Sequence, residues 1–139
     1  MYILFFFLTA CTNFKYKPTK VLFNVPALVG HNIDQIVKTL GKPTFYPKPP
    51  DNRISYCEYN IDEWRLSIRY YPNTREVIDF SISSTAAGAE YKNLEDILRV
   101  GNLYTTDFNY TVKPGSDVYA THGGYTDVTV IPKYSNMTH

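Results

Sequence analysis

The residues of this chain best suited to acid–base chemistry are three carboxylates, Glu58, Asp62 and Glu63, which lie close together where one β-prone segment follows another. Two carboxylates can cleave a glycan when one protonates the leaving oxygen and the other activates water or attacks the sugar. Acidic residues at a turn more often form a solvated surface. We favour that interpretation over a small glycan hydrolase that would use Glu58 and Glu63.

Histidine and cysteine give no stronger signal for chemistry. His31, His122 and His139 stand alone in the sequence, without the spacing or the accompanying carboxylates of a metal site. Cys57 would need a nearby base such as His31 or His122 to act as a nucleophile. We expect Cys57 to be a buried core thiol instead. The sequence therefore predicts no catalytic residue, no metal and no small-molecule cofactor.

The second cysteine, Cys11, follows an uncharged apolar run. Ile3 to Leu8 contains three consecutive phenylalanines, and Thr9-Ala10 separates this run from the cysteine. The arrangement resembles the lipobox of bacterial lipoprotein signal peptides, which implies cleavage before Cys11 and attachment of a lipid to its sulfur. The run is shorter than the roughly 20 residues that span a bilayer, as signal peptides are. The alternative is a buried first strand, which would hide three phenylalanines outside any regular period.

We interpret residues 1–10 as a signal peptide and residues 11–20 as the lipidated cysteine with a polar tether. Lipidation makes the protein anchored to a membrane rather than spanning it. We expect a place in the cell envelope, on the periplasmic face of the outer membrane if the cell is Gram-negative. The tether contains Lys15, Lys17 and Lys20, which either lie against anionic lipid or are simply solvated.

Length and composition indicate that residues 21–139 form a single folded domain. The whole chain has 139 residues, of which 44% are hydrophobic and 16% aromatic, so a core is favoured over disorder. The formal net charge of +1 gives no electrostatic argument for binding nucleic acid. We therefore expect one domain without a nucleic-acid partner.

Two segments carry the pattern of a short capped helix. From the N-cap Asn32 to the terminal Gly41, apolar residues recur at helical spacing. The segment from Asn93 to Gly101 repeats the same order of cap, acid, apolar pair, base and glycine. The apolar segment 21–29 is broken by a proline and is predicted to be an extended lead-in or an edge segment.

Three β-prone segments follow each predicted helix. They are Ile54–Tyr59, Glu63–Tyr71 and Val77–Ser83, and then Phe108–Lys113, Asp117–Thr121 and Tyr125–Ile131. Pro114-Gly115 and Gly123-Gly124 are predicted to be the turns of the second set. This order predicts an α+β fold of two αβββ units, an internal repeat over 32–83 and 93–131. Both short helices would pack on one face of an antiparallel sheet, because neither can bury its stripe alone.

A resemblance to known lipoproteins rests on a series of motifs in the first half of the chain. These are Leu28-Val29-Gly30, Asn32-Ile33-Asp34, Leu40-Gly41-Lys42-Pro43, the strand that carries Trp64, and the hairpin residues Tyr71-Pro72-Asn73-Thr74. The series looks like small bacterial lipoproteins of largely unknown function. It is distantly similar to the SmpA/OmlA outer-membrane assembly lipoproteins and to β-lactamase-inhibitor-like domains. The resemblance covers Val21 to Ser83 and implies a non-catalytic, protein-binding envelope domain, without carrying over any binding residue.

Two functional hypotheses stand beside the hydrolase. The leading one is a lipid-anchored interaction module, which offers an edge or the wet face of its sheet to an envelope protein. The other is an inhibitor or immunity-type lipoprotein, which blocks an envelope enzyme with a protruding loop. The segment Phe45 to Asp51 holds two aromatic residues and three prolines, so Phe45, Tyr46 and Pro47 are the candidate partner-binding residues.

Overall fold

The computed structural model describes residues 20–46, 53–85, 93–115 and 124–133. Its elements are a 3-10 turn Val25–Ala27, helix α1 Ile33–Leu40, strands β1 Ser55–Ile61, β2 Trp64–Tyr70 and β3 Val77–Ser84, helix α2 Leu94–Val100, and strands β4 Tyr110–Gly115 and β5 Asp127–Pro132. The five strands form one antiparallel sheet in the order β1-β2-β3-β5-β4. The α+β class is therefore confirmed. None of the helices in these described ranges has the length and apolar character needed to cross a membrane.

Helix α1 begins and ends where the sequence predicted. The Asn32 side chain accepts a hydrogen bond from the Gln35 backbone N–H at 2.9 Å, and the Gln35 side chain accepts one from the Asn32 backbone N–H at 3.0 Å. This reciprocal pair satisfies two N–H groups that a helix start leaves open. The helix stops at Gly41, whose φ of 85° suits glycine and is unfavourable for other residues. Its N–H donates to the Val37 carbonyl.

The lead-in to α1 differs from the extended segment that was predicted. Val25–Ala27 is a 3-10 turn with Pro26 in its first positions, where a fixed φ and a missing N–H are well tolerated. Just before this turn, the N–H groups of Leu22 and Phe23 both donate to the carbonyl of Val100 at the end of α2. The lead-in therefore caps the second helix and ties the two halves of the domain together.

One face of the sheet is apolar and buried. In register across β2 and β3, Leu66 lies opposite Ile82 and Ile68 lies opposite Phe80, and all four side chains are fully buried. Successive side chains of these strands alternate between this face and a polar one, as in a sheet that is buried on one side. Trp64 and Cys57, both on this face, are also buried. The same hydrophobic core includes the buried side chains of both helices and of the lead-in, namely Phe23, Val25, Leu28, Ile33, Ile36, Ile97 and Val100.

The prediction of a turn at Pro114-Gly115 is wrong, because both residues belong to β4. The Lys133 N–H donates to the Asn109 carbonyl at 2.9 Å, and every second residue along β4 from Asn109 faces β5 in the same way. The nitrogen of Pro114 therefore lies on the opposite side of the strand, away from β5. A missing N–H removes no ladder bond there. The predicted strand Asp117–Thr121 lies outside the described residues.

Candidate functional site

A cleft with a volume of about 440 Å³ opens beside α1. Its walls come from the exposed side of the helix, from the segment that follows it, and from the turn between β2 and β3. The side chains that shape it are Asp34, Val37, Pro43, Tyr46 and Arg75. We call it the Tyr46 cleft, because it contains one of the two aromatic residues that the sequence singled out.

Arg75 connects the walls of the Tyr46 cleft. Its guanidinium donates to both carboxylate oxygens of Asp34, with distances of 3.1 Å from Nε to Oδ2 and 2.6 Å from Nη2 to Oδ1. A third hydrogen bond of 3.3 Å reaches the Tyr46 hydroxyl. The guanidinium carbon lies 5.1 Å from the centre of the Tyr70 ring, within the range of a cation–π contact. One side chain thus joins the helix, the turn and the segment that carries Tyr46.

The backbone of Arg75 holds the turn against α1. Its φ of 65° is left-handed, a conformation that is unfavourable by about 1–2 kcal/mol for a residue with a side chain. The Arg75 N–H donates to the Tyr71 carbonyl at 2.8 Å, and the Arg75 carbonyl accepts the Ile33 N–H at 3.0 Å. That N–H belongs to the first turn of α1, where the helix itself supplies no partner. The strained turn is therefore fixed by the helix that it caps.

The candidate partner-binding residues Phe45 and Tyr46 lie at the surface, each with 47% of its area exposed. The Phe45 ring lies 6.0 Å from the Tyr56 ring, at a tilt of 43°. The Tyr46 ring stacks on Tyr70 at 6.4 Å and 23°. Because Tyr70 is buried, the exposed Tyr46 ring rests on the core and presents one fixed surface. The third candidate, Pro47, lies outside the described residues.

The outer edge of β1 is partly closed by Phe45 and by Thr44, which precedes it. Phe45 and Glu58 exchange two backbone hydrogen bonds of 3.2 and 2.9 Å. The Thr44 hydroxyl accepts the Asn60 N–H at 3.0 Å. An incoming strand would have to displace these bonds, since they occupy groups that an open edge offers. The edge of β1 is therefore a poorer surface for a partner than the neighbouring cleft.

Charges on the polar face of the sheet are paired with each other. Arg69 donates to both carboxylate oxygens of the buried Asp79, and the Arg65 Nε lies 3.5 Å from Glu58 Oε2. Glu58 thus forms an ion pair in the middle of β1, whereas Glu63 lies in the turn that follows the strand. Among the described residues, no group of three or more His, Cys, Asp or Glu side chains is arranged to hold a metal ion.

Two pKa shifts follow from these surroundings. The hydrogen bond from Arg75 holds the pKa of the Asp34 carboxyl below its usual value of 3.8. Burial raises the pKa of the Cys57 thiol to about 11. The thiol is therefore protonated at neutral pH, and a protonated thiol is a poor nucleophile. The structure agrees with the prediction that Cys57 is a core residue.

Sequence reasoning missed the centre of the Tyr46 cleft. Asp34 belongs to the predicted helix start, and the sequence assigned no role to Arg75, which follows the predicted hairpin residues. These two residues are 41 positions apart, and no local spacing indicates that they meet. The aromatic content of the segment after α1 was the one usable signal, and it led to Phe45 and Tyr46. Cys11, the predicted lipidation site, lies outside the described residues.

No family model, no curated protein and no solved structure matches this chain.

Proposed function

We propose that this protein is a lipid-anchored lipoprotein of the bacterial cell envelope and acts as a non-catalytic module that binds another envelope protein. The observation that carries the proposal is the Tyr46 ring, which is half exposed at the surface and held in place by Tyr70 and Arg75. Tyrosine and arginine are enriched among the residues that dominate protein–protein binding. A ring that is already fixed loses little conformational entropy when a partner covers it.

The membrane anchor is supported by the sequence alone. The apolar run before Cys11 and the resemblance to a lipobox both favour removal of residues 1–10 and acylation of Cys11. We expect the mature protein to begin at this cysteine and to carry acyl mass, which intact-mass spectrometry of the native protein measures. Cys11→Ser is expected to move the protein from the membrane fraction to the soluble fraction. An intact Met1 without added acyl mass would contradict the anchor.

For the architecture, we propose that the chain consists of two αβββ units with both helices on one face of the sheet. The proposal is supported by the matching N-caps Asn32 and Asn93, each of which accepts a backbone N–H of the first helical turn. It is also supported by Ile36 and Ile97, which belong to one hydrophobic core. The strand that would complete the second unit is the predicted segment Asp117–Thr121.

Capture of the partner from native membranes tests the interaction. The anchored protein with Tyr46→Ala is compared with the same protein carrying Tyr71→Ala, because the two tyrosines are matched in exposure at 47% and 45%. We expect Tyr46→Ala to abolish capture and Tyr71→Ala to preserve it. Near-ultraviolet circular dichroism of each variant verifies that the fold is intact. Equal capture by both variants would place the binding surface elsewhere.

An inhibitory or immunity-type role is the second candidate for the same surface. It is favoured by the backbone pairing of Phe45 with Glu58, which fixes the start of the proline-rich segment 45–51 to the sheet. A loop held at its base in this way can be inserted into the active site of an envelope enzyme. The captured partner decides between the two candidates, because an inhibitor reduces the activity of an enzyme partner in proportion to the complex formed.

A further inference from the structure

A second exposed aromatic site lies in the loop between α2 and β4. Within the described ranges, Phe108 and Tyr104 are the most exposed large hydrophobic side chains, at 87% and 64%. Their loop leads into β4, and among the described strands β1 and β4 lie at the two edges of the sheet. With a strand spacing of about 4.8 Å, these edges are about 19 Å apart. Phe45, which pairs with β1, and the loop that carries Phe108 therefore lie at opposite edges of the described sheet. We call this second site the Phe108 loop.

The backbone of the Phe108 loop is fixed by hydrogen bonds. The Tyr104 N–H donates to the hydroxyl of the buried Tyr110 at 3.1 Å. The Asp107 carboxylate accepts the Asn109 N–H at 2.8 Å, and the Asp107 carbonyl accepts a hydrogen bond from the Lys133 ammonium at 3.2 Å. The loop thus holds Phe108 outward in a defined conformation. Its exposure is a property of the loop structure.

The predicted tether meets the domain beside this loop. Val21, the first residue of the predicted domain, lines a cavity of about 270 Å³ together with Leu98, Arg99 and Tyr104. Nine residues, 12–20, separate Val21 from the proposed anchor and span at most about 30 Å when fully extended. Because Val21 and Tyr104 line the same cavity, the tether joins the domain on the side of the Phe108 loop.

The charges around the loop fit an anionic membrane surface. Lys20 directly precedes Val21, Arg99 lines the cavity, and Lys133 donates to the loop. Glu95 also lines the cavity, and the Asp107 carboxylate is engaged by a backbone N–H. Exposed aromatic rings beside lysine and arginine are the residues that proteins place at the lipid–water interface.

We propose that Phe108 and Tyr104 insert into the lipid–water interface of the membrane that carries the anchor. The inference rests on the proposed lipidation of Cys11. Contact at this loop places the β4 edge of the domain against the bilayer. Phe45, which pairs with the outer strand β1, then lies at the opposite edge of the described sheet from the lipid contact.

Fluorescence quenching by lipid tests this contact. The lipidated protein is reconstituted into vesicles of phosphatidylethanolamine and phosphatidylglycerol in equal parts, with or without bromine on the acyl chains. Phe108→Trp places a reporter in the loop, and Tyr56→Trp places a control on an exposed position of β1 that does not pair with Trp64. The native Trp64 is buried and gives both variants the same background. Interfacial segments bury their apolar face about 5–10 Å deep, within reach of brominated chains.

We expect brominated lipid to reduce the emission of Phe108→Trp and to leave that of Tyr56→Trp unchanged. An acylated protein in which neither reporter is quenched would overturn the lipid contact and leave the anchor intact. If the native protein carries no acyl group, the anchor proposal fails. Sedimentation of the protein with the same vesicles then tests the lipid contact by itself. Binding that weakens about tenfold or more after Phe108→Ser supports the contact without the anchor. Unchanged binding, or none, overturns the contact.

Discussion

The two edges of the sheet present aromatic side chains in opposite ways. At the β1 edge, Tyr46 stacks on a buried tyrosine and accepts a hydrogen bond from Arg75 beside an open cleft. At the β4 edge, Phe108 is 87% exposed on a loop that is fixed through its backbone. A fixed ring beside a cleft suits a folded protein partner, whose surface can be complementary in shape. A projecting ring suits a bilayer interface, which has no fixed shape to complement.

Both edges belong to a sheet with one hydrophobic core. Trp64→Ala tests whether the two edges unfold together when this core is weakened. Trp64 is 4% exposed, and its truncation is expected to reduce the free energy of unfolding by about 3–5 kcal/mol. A denaturant titration measures this loss and should show a single transition for both edges. The control is Tyr104→Ala, an exposed change expected within about 0.5 kcal/mol of the wild type. A loss of less than about 0.5 kcal/mol for Trp64→Ala would show that Trp64 is not a core residue.

Substitution of Arg75 tests the surface around Tyr46 separately from the Phe108 loop. Arg75→Ala removes the hydrogen bonds to Asp34 and Tyr46 and the contact with Tyr70. Because the ion pair is largely exposed and screened by solvent, we expect a loss of only about 1–2 kcal/mol. Arg75→Gly loses the same contacts but relieves the left-handed backbone, so it should be more stable than Arg75→Ala by about 1 kcal/mol.

Thermal or denaturant unfolding of both Arg75 variants measures the difference. Both should weaken capture of the partner and leave lipid quenching at position 108 unchanged. If glycine were no more stable than alanine at position 75, the backbone strain assigned to this turn would be refuted.

Removal of each helix cap in turn distinguishes an effect on the Tyr46 cleft from an effect on overall stability. Asn32→Ala and Asn93→Ala each remove a side-chain acceptor at a helix start, and each should reduce stability by about 1 kcal/mol. Helix α1 forms a wall of the Tyr46 cleft, whereas α2 lines a different cavity together with Val21. We therefore expect only Asn32→Ala to weaken capture of the partner at equal stability. Equal weakening by the two variants would mean that capture follows overall stability.

The smallest expected effect is a dependence of stability on acidic pH. The pKa of Asp34 is lowered in the folded state, so its interaction with Arg75 stabilises the fold above the usual pKa of 3.8. This contribution is lost as the pH falls below that value through the folded-state pKa. Unfolding free energies measured across this range should fall less steeply for Asp34→Asn than for the wild type. Arg75→Ala should remove the same increment, and a wild-type slope in that variant would contradict the assigned cause.

Local patterns predicted most of the fold. The capped helix at Asn32 and the β-prone segments that form β2 and β3 depend on neighbours along the chain, and the structure confirms them. The incorrect prediction of a turn at Pro114-Gly115 has a different cause. Proline usually marks a turn, but it is tolerated where its nitrogen faces away from the neighbouring strand, and only the assembled sheet decides that.

The candidate site was less predictable, because its geometry is set by contacts between distant residues. Composition alone pointed to Phe45 and Tyr46. The side chains that fix Tyr46, which are Tyr70 and Arg75, lie 24 and 29 positions away and follow from how the β2–β3 turn docks on α1. The Phe108 loop was not predicted, because the sequence assigned Phe108 to the strand Phe108–Lys113, whereas β4 begins at Tyr110.

The most direct test is photo-crosslinking in native membranes with a photoreactive phenylalanine analogue at position 46 or at position 108. The opposing roles of the two edges predict a protein adduct from position 46 and a lipid adduct from position 108. A protein adduct from position 108, with neither protein nor lipid attached at position 46, would contradict the account.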